Sequence, residues 1–466
     1  MSDNKKKRLF DHKFDIAALI LISLLFGYFW LFCDVVRCGD SFQYENQFPM
    51  REPVYSLLLQ LLQIFPEDIY LRLLGFIQNI MAIGCTYFAY IMVCRLFEFK
   101  NPFRIGTLTV LLAPHILTPL SSKTHLILTN TVMTEGIAVS LYYVWFTLLL
   151  IILKDKYIEK NKRIIIYSVS LILALVLAMT RGQMMLCMVI WLIVVEFRVI
   201  TNKEIKIKSK MIRITGFIGI LIILLWTKSG LTRLYNLVET GYRVDTVSSS
   251  PMMLANIVYV CDEADAEFVA EDDMKETIAH IISEVKSERL SVSDAQGGLV
   301  DRARFHESVH ETINFDIIDP AMRELIKKRY GTDESRFLEL MIIEDQLCKD
   351  ASKQLLGGVL GKYLKNYLVI ASLGFIRSIA VEKSILWLFA VIMYLTAIAM
   401  ITYLIKREGF SYPVSVMMLV LITICGTVLG TSIVIQCITR YMIYNFPFFY
   451  IACMGMLCSV KKLIKS

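Results

Sequence analysis

RCGDSFQYENQFPMREPVYSLLLQLLQIF, residues 37–65, follows the first long apolar run of the chain and changes character half-way. Its first part is polar, with an acidic centre at Asp40 and with Tyr44 and Glu45 close behind. Arg51, Glu52 and Pro53 then lead into apolar residues at Val54, Leu57, Leu58, Leu61, Leu62 and Phe65. That i, i+3, i+4, i+7, i+8 spacing predicts one buried helical face, with Ser56, Gln60 and Gln63 on the other. The segment is far shorter than the roughly 20 residues needed to span a bilayer. It therefore reads as a helix lying in the membrane interface, holding a carboxylate at the boundary between lipid and water.

Working outward, the composition supports a membrane setting. The chain has 466 residues, 56% of them hydrophobic, and a mean hydropathy of +0.58. Several runs are long and apolar enough to be membrane helices. The net charge of +7 follows the topology: Lys and Arg gather in the short segments between spans, as a cytoplasmic bias requires. No basic groove with interleaved aromatics appears, which argues against nucleic acid as a partner. The 11 cysteines are scattered without a CxxC pair, so they form neither a disulfide framework nor a zinc ribbon. Only Cys261 and Cys348 lie in a polar segment where they could pair.

The expected fold is an all-α polytopic membrane protein of about ten transmembrane helices. Spans fall near 16–36, 69–94, 105–120, 130–153, 164–180, 183–200, 212–228, 384–405, 411–435 and 441–460. Residues 1–228 form an N-terminal transmembrane module that contains the first outer loop, 37–68. Residues 229–383, rich in Asp, Glu, Lys and Ser, form an extracytoplasmic helical domain, and its end, LLGGVLGKYLKNYLVIASLGFIRSI, reads as a second membrane-skimming helix. Residues 384–466 form a C-terminal module. Ten spans place both termini in the cytoplasm, the large loop outside, and the whole in a plasma membrane. Asp40, Lys123, Glu135, Arg181 and Arg440 then all fall at or near the outer ends of spans.

Charges at membrane depth are costly and usually functional. Asp40 is a candidate general base, or a ligand that orients an attacking group; otherwise it is a solvated loop residue. Glu135 shares a helix face with Thr131 and is either a second catalytic acid or a first-turn residue favoured by the helix dipole. Arg181, between two spans, is either a two-pronged phosphate clamp or an interfacial anchor. Lys123 and His125 in an outer turn, Arg51 and Tyr44 in the first loop, and Arg440 and Tyr441 at the start of the last span complete the candidate set. Several cations around one or two carboxylates at one membrane face suit an anionic, phosphate-bearing lipid.

In the order of these motifs the chain resembles the GT-C superfamily of membrane glycosyltransferases, in the branch of protein O-mannosyltransferases and bacterial aminoarabinose transferases. The resemblance rests on Asp40 and Tyr44 after span one, on REPVYSLLLQLL, on TNTVMTEGIAVSLY at the start of span four, on LAMTRGQMML between spans five and six, and on TRYMIYNFPFFYIA at the last span. It covers roughly residues 1–228 and 384–460. Many members carry Asp-Glu after span one and Arg-Pro-Pro before the interfacial helix, where this chain has Asp-Ser and Arg-Glu-Pro. The resemblance implies transfer of a sugar from a polyprenyl-phosphate donor to a lipid, glycan or protein acceptor. Asp40 would take the acceptor's proton, and Arg181, helped by Lys123 and Arg440, would hold the departing phosphate. No cofactor is implied with certainty, no metal ligands are assigned, and a divalent cation stays open.

Three other readings compete. An O-antigen-type polymerase or ligase would depend on loop arginines such as Arg302 and Arg304. A lipid-linked glycan transporter would need charges along a mid-membrane path, and the spans carry few. His306-Glu307-Ser308-Val309-His310 matches the HExxH pattern of zinc proteases, although its surroundings read as an exposed amphipathic helix.

Overall fold

The computed structural model describes residues 3–121, 126–154, 160–201, 206–247, 249–332, 334–380 and 386–465. The protein is an all-α polytopic membrane protein. Its helices are joined by one isolated bridge, Val36 to Thr131, among the described residues. Eleven helices are long and apolar enough to cross a membrane, where the sequence suggests about ten. The additional one is Phe337–Ile379, a single 43-residue helix. Its first ring meets Phe48 of the first loop at 5.7 Å. Farther along, Tyr363 and Tyr367 donate to the carbonyls of Ile433 and Leu429, and Arg377 donates to that of Cys437, three residues before Arg440. The helix thus stays in the half of the bundle that carries Asp40. It begins in the polar domain, and its last turns pack into the bundle core, where Phe375 O accepts from Tyr394 and Ile379 O from Tyr450.

The helix Glu135–Leu153 is the bundle's axis, with 83% of its apolar window buried inside the protein. It packs on Glu67–Leu96 so closely that a Cβ on Gly136 would stand 1.7 Å from Gln78 Oε1. Small residues at such crossings let backbones approach where hydrophobic driving force between helices is weak. At the end of the bundle opposite Asp40, Arg104 pairs with Asp15, Tyr412 donates to Leu150 O, and Lys461 lies over the Phe103 ring. A second apolar core runs from Leu254 to Tyr363, separate from the bundle core. It gives the polar domain an interior of its own. Within it Cys261 and Cys348 are buried free thiols.

The interfacial helix forms at Pro53–Leu62. Glu52 before it is extended, as the residue preceding proline must be, and Pro53 occupies the first turn, where its missing N–H costs nothing. The buried face differs from the expected one. Tyr55, Ser56, Leu59 and Leu62 are buried, while Leu57 and Phe65 are exposed and Leu61 is 68% exposed. The apolar stripe is split: Leu58 and Leu62 pack inward, while Leu57, Leu61 and Phe65 face outward, as lipid-facing residues should. The protein side is chosen by Tyr55, whose hydroxyl reaches Gln78 and the Thr131 carbonyl.

Candidate active site

The site begins with two irregular segments locked to each other. Residues 128–134 leave helical geometry at a depth where backbone groups need protein partners. Val36 N donates to Asn130 O and Val132 N to Val36 O. Asn130 Nδ2 donates to the carbonyls of Phe29 and Cys33, which end the first helix, and Gln78 Nε2 donates to those of Thr129 and Thr131. Ser41 Oγ donates to Val132 O and accepts from Cys38 N. Asp40 and Glu135 are thereby fixed to a common frame although they lie on different spans.

Asp40 is the N-cap of a single helical turn, Ser41–Glu45, yet it makes no side-chain capping bond. An aspartate there ordinarily accepts from the second or third N–H of the turn. Its carboxylate instead turns to two arginines: Arg51 Nη2 lies 2.9 Å from Oδ1 and Arg440 Nη2 lies 3.1 Å from Oδ2. Arg51 is held by Gln43 Oε1 and lies over the Tyr44 ring at 4.8 Å. Tyr44 itself is buried, and that burial pushes its phenol above the usual tyrosine range.

Behind this layer stands a second pair. Arg181, extended between two helices, lies 2.7 Å from Glu135 Oε1 and donates to Thr134 Oγ1. Glu135 is 2% exposed and also faces Arg440 Nε at 3.7 Å. Tyr441 lies between the cations, with Arg181 at 4.4 Å and Arg440 at 5.2 Å from its ring centre. Arg440 Nε is buried without a hydrogen-bond acceptor among the described residues. A buried donor in that state is costly.

These groups surround a cavity of about 680 Å³ between the bundle and the polar domain. Asp40, Arg51, Arg181, Tyr44 and Tyr441 line it, whereas Glu135 and Arg440 stand one layer behind and orient the lining. Glu135 therefore holds Arg181 and does not itself face the cavity. Lys123 and His125 lie outside the described residues. Arg302 and Arg304 do not line the cavity.

The HExxH residues are committed elsewhere. His310 Nε2 meets Met252 O at 3.1 Å, and Glu307 pairs with Arg377 at 2.8 Å. No group of three His, Cys, Asp or Glu side chains converges to hold a metal ion among the described residues. The segment is not the exposed helix its sequence suggests, because His306 and His310 are both buried.

Sequence reasoning missed Glu52 and Lys228. Lys228 Nζ lies 2.7 Å from Glu52 Oε1, and Thr246 Oγ1 donates to the same oxygen at 3.0 Å. Burial pushes the Glu52 carboxyl up, against the pull of Lys228. This cluster ties the cavity's rim to the last turns of the helix Ile207–Thr240. The one available signal was a lysine at the end of an apolar span, where a charge needs a partner. No family model, no curated protein and no solved structure matches the chain.

Proposed function

We propose that the chain is a GT-C-like membrane glycosyltransferase that moves a sugar from a polyprenyl-phosphate donor to an acceptor hydroxyl at the extracytoplasmic face, with both termini in the cytoplasm. The observation that carries this reading is the placement of Asp40 between Arg51 and Arg440 on the wall of a cavity that Arg181 shares. One carboxylate stands among three guanidinium groups, which are well suited to planar recognition of phosphate oxygens. The lipid-facing stripe of the helix Pro53–Leu62, next along the chain, suits a donor that arrives from within the bilayer.

In the reaction the acceptor oxygen bonds to the anomeric carbon while the bond from that carbon to the phosphate oxygen breaks. The electron pair leaves on the phosphate, and the acceptor's proton passes to the Asp40 carboxylate. Charge builds up on the phosphate as the bond breaks, and donors fixed beforehand stabilise it without reorganising. Arg181 is fixed by Glu135, Thr134 and Tyr441, and Arg51 by Gln43 and Tyr44. Asp40 must release part of its hold on the arginines as the phosphate arrives, which frees its oxygen for the acceptor.

The test is transfer from a radiolabelled polyprenyl-phosphate sugar by the purified protein in nanodiscs. Asp40→Asn keeps the shape and removes the base, so transfer should fall by at least ~100-fold, as loss of a general base does, with insertion and folding unchanged. Full activity in that variant would sink the assignment.

A further inference from the structure

Beside the arginines, the cavity lining contributed by the polar domain and the helix Tyr412–Val434 has a different chemistry. The helices Leu299–Thr312 and Asp319–Tyr330 are joined by a π-helical turn, Ile313–Ile318. Such turns are rare and gather at functional sites. This one brings Asn314 and then Asp319 to the cavity. Asn314 is only 4% exposed, and its Oδ1 has no hydrogen-bond donor among the described residues. Thr431, 6% exposed, lines the same space, and its Oγ1 is likewise unpartnered. Glu344, from the long helix Phe337–Ile379, is 6% exposed, and burial beside Asp319 pushes its carboxyl up to about 9. Glu344 therefore keeps its proton near neutral pH, which leaves the pair one negative charge. Arg323 Nε, 2.6 Å from Asp319, balances it and lies over the Phe337 ring at 5.8 Å.

We infer that this wall is a subsite for the acceptor, and that the acceptor presents a neutral, polyhydroxylated group, a saccharide. An ammonium group would call for a wall of net negative charge, and this one is balanced. A phosphate finds its cations in Arg51 and Arg181. A hydrocarbon chain would leave Asn314 Oδ1 and Thr431 Oγ1 buried and unpaired, which is costly. Ring hydroxyls donate to both and to the free carboxyl oxygens of Glu344 and Asp319, while the C–H face of a sugar can rest on Phe337. The cavity's volume lies within the range of pockets that enclose a small organic ligand. This assignment rests on the reading of the cavity as a sugar-transfer site and names what stands beside the donor.

The experiment is saturation-transfer NMR on the full chain in nanodiscs, with methyl glucoside, methyl mannoside and methyl galactoside as probes and ethanolamine as the cationic control. At least one glycoside should bind, and ethanolamine should not. Asn314→Ala and Glu344→Leu should each weaken that binding about tenfold, the loss of roughly one hydrogen bond. Thr431→Val, which keeps the side chain's shape, should weaken it severalfold and guards against misfolding of the other two. The readout needs neither donor nor turnover, so glycoside binding without any transfer would sink the enzymatic reading and leave the subsite standing. Failure of all three glycosides to bind, equal binding by all three wall variants, or preference for ethanolamine would overturn the inference.

Discussion

Removing either partner of the Glu135–Arg181 pair should show how firmly the cavity is held. The two groups lie 2.7 Å apart, and Glu135 has almost no contact with solvent. Taking away one member of a buried ion pair strands the other and costs about 3–5 kcal/mol. Here the remaining charge is not wholly abandoned. With Arg181 gone, Glu135 still faces Arg440 at 3.7 Å; with Glu135 gone, Arg181 still lies on the Tyr441 ring. The lower end of that range, about 3 kcal/mol, is therefore expected for Arg181→Met and for Glu135→Gln. The double variant strands no charge and should cost less than the sum of the two, leaving a coupling energy of about 2 kcal/mol or more, within the span seen for contacting residues. Equilibrium unfolding in mixed micelles, read by steric trapping or intrinsic fluorescence, measures each corner of the cycle. Strict additivity, within about 0.5 kcal/mol, would refute the claim that Glu135 serves by fixing Arg181.

Other perturbations have equally definite outcomes. Gly136→Ala puts a methyl group into the Gln78 amide and should destabilise the bundle by about 1–3 kcal/mol, as overpacking does; an unchanged melting curve would contradict that packing. Burial lowers the His310 imidazole to about 4 and His306 in the same direction. The unfolded chain takes up these protons below about 6.5, while the folded domain refuses the His310 proton until near 4. Stability of the polar domain is thus whole above that upper value and falls as pH drops through the window, by about 3 kcal/mol from His310 alone; hydrogen exchange that stays flat from neutrality down to pH near 4.5 would dispose of this. Leu61→Trp should be folded and strongly quenched by brominated lipid, because its side chain points away from the protein; emission indifferent to the lipid would mean that the stripe meets something else.

The crossing helices were legible because apolar runs of bilayer length have few other uses, and the two unlike cores follow the change of composition near residue 229. The convergence of Asp40 with Arg440, 400 residues apart, was legible only as a shared membrane side. The distances, and the order that puts Glu135 behind Arg181, come from the locked segments 36–41 and 128–134, which have no periodic signature. The helix Pro53–Leu62 was found but rotated. Periodicity marks the greasy face, and in a membrane that face can meet lipid as well as protein. The pair Glu52–Lys228 and the wall of Asn314, Asp319 and Glu344 depend on contacts between distant segments that no local pattern encodes. His306 and His310 show the converse, for a motif with the right spacing is spent on packing in the domain's interior.

Whether the cations beside Asp40 hold a lipid phosphate is decided by the binding of polyprenyl phosphate itself. Measured in nanodiscs, affinity should fall about 10- to 100-fold in Arg181→Gln, the worth of one charge-assisted contact. It should stay equal or rise in Asp40→Asn, which removes a carboxylate that competes for Arg51 and Arg440. Unchanged affinity in Arg181→Gln, or weaker binding in Asp40→Asn, would contradict that role.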